Sequence, residues 1–313
     1  MLGALVIKLL AIEANAADLK KFRLGYSAVG PAETGLWMAK DIGAFEEHGI
    51  DADLIFISPG SVVVQALLGG DLQGGFAATN AVIAAVLGGA PLVSIMSLIN
   101  RPYYRLWVQP EITRVEELRG KTLGVSRFGS VNDNKTRILL RKKNLEGAVI
   151  VRQFGGTTET AAAFLHRQIA GAVISALRVN APMRMLLDLS ELDFLYSNVV
   201  ITVSRDFLKR NPEMLDAFVR AYLEGVAAMH EQKDRAHKVI QKYTRLKDQK
   251  LIEELYNDSD KFLERVPRVE SEAIAPIVEF MGKKPIAVET VADNSIVDRL
   301  VREGFVDKLY KKR

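Results

Sequence analysis

Short apolar segments alternate with segments of helical spacing through the first part of the chain. Residues 22–26 and 51–57 alternate apolar and polar positions, which is the period of a half-buried β-strand. Between them, residues 36–45 carry apolar positions on one helical face, and Gly49 stands where a helix would end. Strands that alternate with helices in this way predict βαβ units and a largely parallel sheet.

The same order of elements continues and starts again after Pro102. Further strands are predicted at 75–78, 92–98, 121–126, 149–154, 172–175 and 199–203. Helices are predicted at 62–68, 81–87, 115–118, 129–140 and 159–165, and three more with apolar stripes follow at 207–208, 214–229 and 236–243. We therefore predict an α/β protein made of two lobes.

Small polar residues follow several predicted strands at the point where the next helix begins. In open α/β sheets, ligands bind beyond the carboxyl ends of the strands, where helix N-termini offer free N–H groups. One such loop is an ordinary cap or turn, but several in two lobes indicate a cleft that binds a small oxygen-rich or anionic solute. The candidate binding residues are Ser27, Gly60, Ser61, Thr79, Asn80, Ser126, Gly129, Ser130 and Thr157.

The amino-acid composition excludes several classes of functional site. The 313 residues include no cysteine, which excludes disulfides, thiolate catalysis and cysteine-ligated metals, and also a lipid-modified N-terminal cysteine. Four histidines make a multi-histidine metal site a poor fit, and no nucleophile-elbow, phosphate-loop or zinc-protease motif occurs. The formal charge of +4 is spread along the chain, without a basic patch for nucleic acid. We expect a binding protein that is not an enzyme and uses neither metal nor cofactor.

Residues 1–16 are predicted to be a signal peptide. The run Leu2 to Ile12 is apolar apart from Lys8, and Ala14-Asn15-Ala16 fits a cleavage site before Ala17. The basic start of such a leader is missing, which a start codon placed too far downstream would explain, and an ordinary N-terminal helix is the alternative. The prediction is export to the periplasm as a protein without a lipid anchor.

Four stretches of the chain, in order, resemble one protein family. They are the helix–strand unit at 35–57, the run from Gly60 to Asn80, the segment EELRGKTLGVSRFGS at 116–130 and the helix at 211–229. The chain resembles the periplasmic solute-binding proteins of ABC transporters in the nitrate/sulfonate/taurine family, also called SsuA/THI5-like or NMT1.

This resemblance implies the type II periplasmic-binding-protein fold, in which two α/β lobes are joined by two crossover segments. Lobe one would comprise 22–106 and 200–313, and lobe two 107–199. The crossovers would be 102–108 and 196–202. The resemblance also implies that solute draws the lobes together in a hinge closure. The closed monomer would then deliver its solute to a permease driven by an ATPase.

Two other functions stay open at this point. Pyrimidine-precursor binding proteins of thiamine biosynthesis share the family, as do THI5-like synthases with a lysine-bound cofactor. The resemblance implies that such synthases use histidines and a cysteine-rich motif, which this chain lacks. The ligand-sensing half of a transcription regulator is the third possibility, but no helix-turn-helix precedes Phe22.

Overall fold

The computed structural model describes residues 19–58, 60–175, 182–192 and 194–311. The predicted signal peptide lies outside the described residues. The strands are β1 (Lys20–Tyr26), β2 (Ile50–Phe56), β3 (Gly74–Ala78), β4 (Leu92–Ser97), β5 (Arg105–Val108), β6 (Thr122–Val125), β7 (Ile150–Gln153), β8 (Gly171–Ile174), β9 (Arg184–Asp188) and β10 (Val199–Ser204).

Helices connect these strands and form most of the chain after β10. The α-helices are α1 (Thr34–Asp41), α2 (Ala44–Glu47), α3 (Gly60–Leu68), α4 (Thr79–Leu87), α5 (Val131–Lys142), α6 (Thr157–Leu165), α7 (Arg205–Arg210), α8 (Pro212–Glu231), α9 (Lys233–Thr244), α10 (Gln249–Phe262), α11 (Ser271–Phe280), α12 (Ser295–Arg302) and α13 (Phe305–Tyr310). Short 3-10 helices cover Pro31–Glu33, Val115–Leu118, Leu189–Glu191 and Val288–Thr290. None of the described helices combines the length and the apolar composition that crossing a membrane requires.

Two five-stranded sheets define two lobes. The sheet of lobe one has the order β2-β1-β3-β10-β4, and the sheet of lobe two has the order β7-β6-β8-β5-β9. β5 begins at Arg105, so Arg105 and Leu106 belong to the sheet of lobe two, two residues before the predicted start of that lobe at 107. The fold is the two-lobed α/β architecture that the sequence predicts.

The expectation of a largely parallel sheet holds only in part. β1 runs parallel to β2 and β3, and β6 runs parallel to β7 and β8. β10 is antiparallel to both of its neighbours, and so is β5. The crossovers explain this difference. Each crossover enters its lobe at the cleft, so the strand that follows it, β5 or β10, runs away from the cleft, whereas the parallel strands run towards it.

Two crossover segments lie side by side between the lobes. The backbone N–H of Tyr196 donates to the carbonyl of Asn100 at 2.8 Å, and the N–H of Asn198 donates to the carbonyl of Ile99 at 3.0 Å. The Asn198 side chain is fully buried, and its Nδ2 donates to the same Ile99 carbonyl at 2.9 Å. These bonds hold the two crossovers together as one hinge.

The long helix α8 fixes the position of α1, which begins at the cleft. Phe218 and Tyr222 of α8 are fully buried in the core of lobe one. A Cβ atom placed on Gly225 would lie 2.6 Å from the Cβ of Ala39, so only glycine lets α8 approach α1 this closely. The start of α1, and the Pro31–Glu33 turn before it, are therefore held rigidly against the first sheet.

Candidate functional site

A cavity of about 630 Å³ lies between the lobes. Its walls include the loop after β1, the start of α3, the loop after β6 and the start of α6, so both lobes contribute. These are carboxyl ends of strands and N-termini of helices, the place where open α/β sheets bind ligands. The size is in the range of pockets that enclose small organic molecules.

Five of the nine predicted binding residues line this cavity. They are Ser27, Gly60, Ser126, Ser130 and Thr157. Gly60 is packed tightly, because a Cβ there would lie 3.0 Å from both the backbone nitrogen of Ala78 and the Oγ of Ser27. That close approach brings the N-terminus of α3 to the end of β1 and closes the floor of the cavity in lobe one.

The other four predicted residues are not among those lining the cavity, and three of them have structural contacts instead. The four are Ser61, Thr79, Asn80 and Gly129. Thr79 Oγ1 lies 3.0 Å from the Oγ of Ser197, and this buried contact links the start of α4 to the second crossover. Asn80 Nδ2 donates to the carbonyl of Gly129 at 2.7 Å, which joins α4 of lobe one to the loop before α5 of lobe two. The side chains of Thr79 and Asn80 thus make contacts within the protein.

The hydroxyl of Ser130 caps α5. Its Oγ accepts the N–H of Asp133 at 3.4 Å and lies 2.6 Å from the carbonyl oxygen of Arg127. The Asp133 carboxylate in turn accepts the N–H of Gly129 at 2.9 Å, and the Asn132 side chain accepts from the Ser126 hydroxyl at 2.9 Å. The N-terminus of α5 is thus largely satisfied by the chain's own side chains.

Several cavity residues have no counterpart in the sequence prediction. They are chiefly Glu33, Phe56, Tyr103, Tyr104 and Glu159. The tyrosines belong to the first crossover, and nothing in a single sequence tells a crossover tyrosine from a core tyrosine. The sequence does contain a pattern that indicates a role for Glu33. An acidic residue two positions after Pro31 is typical of the first turn of a helix that follows a strand.

Glu33 is a buried carboxylate at the wall of the cavity. Its side chain is 1% exposed, and its Oε2 accepts the backbone N–H of Gly30 at 3.0 Å. Burial raises the pKa of Tyr104 well above its usual value, and the negative charge of Glu33 adds to that rise. Burial likewise raises the pKa of Tyr103, with a smaller contribution from Glu33. Both phenols therefore remain protonated and can donate hydrogen bonds.

A second contact between the lobes involves charged side chains. The guanidinium of Arg105, in lobe two, donates to both carboxylate oxygens of Asp258 in α10 of lobe one, at 2.8 and 2.7 Å. It also donates to Asp188 at 3.2 Å and to the carbonyl of Ser175 at 2.9 Å. The hydrogen bonds to the Asp258 carboxylate raise the pKa of Arg105 more than any other contact does. This partly buried cluster lies at the hinge side of the cleft.

The chain is similar to known proteins along most of its length. The NMT1/THI5-like family model matches residues 31–236, which is 206 of 313 residues. Curated proteins of Brucella abortus and Brucella suis, both named as binding proteins, are 30% identical over 160 residues; that match covers 50% of this chain and 49% of each relative. The chain thus spans about half the length of the curated relatives it matches.

Solved structures show the same architecture. A Bordetella bronchiseptica protein superposes with a TM-score of 0.75 at 16% identity, covering 91% of this chain and 98% of the other. The nitrate-binding protein NrtA from Synechocystis gives 0.74 at 12% identity, covering 95% and 93%. The aliphatic sulphonate-binding protein SsuA from Escherichia coli gives 0.67 at 17% identity, covering 94% of each. The chain has the periplasmic-binding-protein fold, and by its sequence match it belongs to the NMT1/THI5-like family.

Proposed function

We propose that the protein is the extracytoplasmic solute-binding component of an ABC importer and captures a small polar organic solute between its lobes. The observation that carries this proposal is the interlobe cavity, whose walls come from strand ends of both sheets. A solute in it would contact both lobes at once and stabilise the closed arrangement. The partners would be a permease and an ATPase of the transporter, and the working form a monomer in the periplasm.

The structural neighbours named for nitrate and for sulphonates support this class of function. The family description, which names THI5, supports a second candidate, the binding of a pyrimidine precursor. A THI5-like synthase would need a lysine amine in the cleft for its cofactor. The curated relatives and the solved neighbours are named as binding proteins, and they support binding without chemistry as the function we propose. Absorbance at the Schiff-base band after adding pyridoxal phosphate would separate a synthase from a binding protein.

A thermal-shift screen against anionic, neutral and cationic organic solutes, including aminopyrimidines, tests the proposal. Its matched pair of variants uses two exposed alanines: Ala162 lines the cavity, and Ala275 lies on α11 outside it. A tryptophan at 162 would fill the cleft from lobe two, whereas a tryptophan at 275 would leave it open. We expect at least one solute to raise the melting temperature of the wild type and of Ala275→Trp but not of Ala162→Trp. Equal shifts in both variants would place binding outside the cleft.

A further inference from the structure

The charged side chains that line the cavity are all acidic in the part of the chain that the structure describes. They are Glu33, on the wall of lobe one, and Glu159, on α6 of lobe two. The described lining includes no lysine, arginine or histidine. A solute with a full negative charge would find no opposite charge among these residues, and burial would strengthen its repulsion from Glu33.

Helix N-termini usually attract anions, but those near this cavity already lie beside carboxylates of the chain. In lobe one the Glu33 carboxylate accepts the hydrogen bond of the Gly30 N–H, and in lobe two the Asp133 carboxylate accepts that of the Gly129 N–H. At the start of α6, the Glu159 carboxylate fills the space that a Cβ atom on Gly156 would need. Carboxylates of the chain thus stand at three of the positions where an anion would otherwise bind to a helix dipole.

Apolar and aromatic surface completes the cavity. Phe56 of lobe one is 51% exposed and Leu165 of lobe two is 44% exposed, and both line the cleft. The rings of Tyr103 and Tyr104 line its hinge side. Because one face of Tyr104 already packs against Lys135, the exposed ring of Phe56 is the aromatic surface that could attract a cation and bury the apolar body of a ligand.

From these observations we propose that the cleft selects a small organic cation, a protonated amine or amidinium on an apolar body, and that Glu33 is the residue that determines this specificity. The ammonium or amidinium N–H groups would donate to the Glu33 carboxylate, while the apolar body would lie between Phe56 and Leu165. The proposal rests on the proposed function, because it assigns a solute class to the same cleft. This solute class differs from the oxygen-rich or anionic solute that the small polar residues of the loops predict in the sequence.

Four probes with the same ring and different head groups test it by calorimetric titration. Benzylamine and benzamidine carry a positive charge, and benzoate and benzenesulfonate carry a negative one. We expect the wild type to bind at least one of the two cations and to bind both anions more weakly or not at all. Tighter binding of either anion, or no binding of either cation at about 10 mM, would overturn the proposal.

Variants then test the role of Glu33. Glu33→Gln removes the charge but keeps an oxygen that can accept the Gly30 N–H, and it should weaken binding of the cation by about ten- to a hundredfold. Glu272→Gln, at an exposed position of α11 outside the cavity, is the matched control and should change affinity by less than about twofold. Glu33→Asp keeps the charge and should bind the cation more tightly than Glu33→Gln does. Unchanged affinity in Glu33→Gln, with an unchanged melting temperature, would remove Glu33 from this role.

The two proposals can fail separately. Anion binding that Ala162→Trp abolishes and Ala275→Trp preserves would refute the cation specificity and support solute capture in the cleft. No binding of any solute class in the wider screen would contradict the proposed function itself.

Discussion

The side-chain nitrogen of Lys135 lies 3.6 Å from the centroid of the Tyr104 ring, so α5 of lobe two reaches into the first crossover. The same nitrogen donates to Oδ1 of Asn198 in the second crossover. The Tyr196 hydroxyl donates to Oδ1 of Asn134 at 2.5 Å and adds a parallel link. Both crossovers are thus tied to one helix of lobe two, which makes the N-terminal half of α5 part of the hinge.

Lys135 predicts a pH dependence of stability. It is 1% exposed, and burial lowers its pKa well below the usual 10.5. The groups around it are the rings of Tyr103, Tyr104 and Tyr196, whose own pKa values are raised, so they stay neutral over the same range. Between the folded pKa of Lys135 and about 10.5, the unfolded chain binds more protons than the native one, so stability rises with pH.

Lys135→Met should remove this rise. The wild type is expected to gain up to about 1.4 kcal/mol per pH unit in that window, measured by urea unfolding at a series of pH values up to about 10, and the variant should lack that gain. Lys143→Met, at an exposed position just after the same helix, is the control and should keep the slope of the wild type. Identical slopes in all three proteins would show that Lys135 stays charged in the fold.

The amide of Asn80 predicts an effect on the arrangement of the lobes. Its Nδ2 bond to the Gly129 carbonyl crosses the cleft at 2.7 Å, while its Oδ1 is buried and lacks a hydrogen-bond partner among the described residues. Asn80→Ala should shift the population towards open lobes, increase the radius of gyration in small-angle scattering and weaken solute affinity by about three- to tenfold. Asn257→Ala, on the exposed side of α10, should do neither. A radius that stays unchanged in Asn80→Ala would mean that this bond does not hold the lobes together.

The Arg105 cluster predicts a larger loss of stability. The side chains of Arg105 and Asp258 are only 17% and 13% exposed, and Arg105→Met would leave two partly buried carboxylates without their cation. We expect a loss of about 3 kcal/mol in the free energy of unfolding. Arg105→Lys keeps the charge but loses the paired geometry, so it should cost less. Equal losses in the two variants would show that the paired geometry, and not the charge, provides the stabilisation.

Ser130 predicts a stability effect through its capping role. Because its Oγ accepts the Asp133 N–H, Ser130→Ala should lower the free energy of unfolding by about 1 kcal/mol. Ser130→Thr keeps a hydroxyl that can both accept from Asp133 and donate to the Arg127 carbonyl, and it should recover most of that loss in chemical denaturation. Ser130 also lines the cavity, so affinity has to be measured alongside stability. A loss of affinity in Ser130→Ala without any loss of stability would make it a binding residue and not a cap.

The sequence predicted the strands and helices of the α/β units closely, because each has a clear period and ends in a turn residue. β1, predicted at 22–26, spans Lys20–Tyr26, and α4, predicted at 81–87, spans Thr79–Leu87. β5 and β9 were not predicted, since β5 lies in a segment interpreted as a crossover. β5 and β9 pair with each other because the chain comes back to the first crossover before it leaves lobe two. A local sequence pattern cannot predict such a long-range pairing.

Within the site, the positions of loops could be predicted and the directions of side chains could not. Ser27 and Thr79 both stand at a strand end before a helix, yet only Ser27 lines the cavity. Thr79 instead pairs with Ser197, a residue 118 positions away that the fold brings beside it. Glu33 was missed for the same reason, because its burial in the cleft depends on how α1 packs against α8.

Hydrogen exchange of the protein with and without a cleft-binding solute is the most direct test of capture between the lobes. The account predicts simultaneous protection of the loops at 27–30 in lobe one and at 126–130 and 155–158 in lobe two, all of which border the cavity. In Ala162→Trp the same solute should protect neither set of loops. Protection of one lobe alone, or of a surface away from these loops, would contradict it.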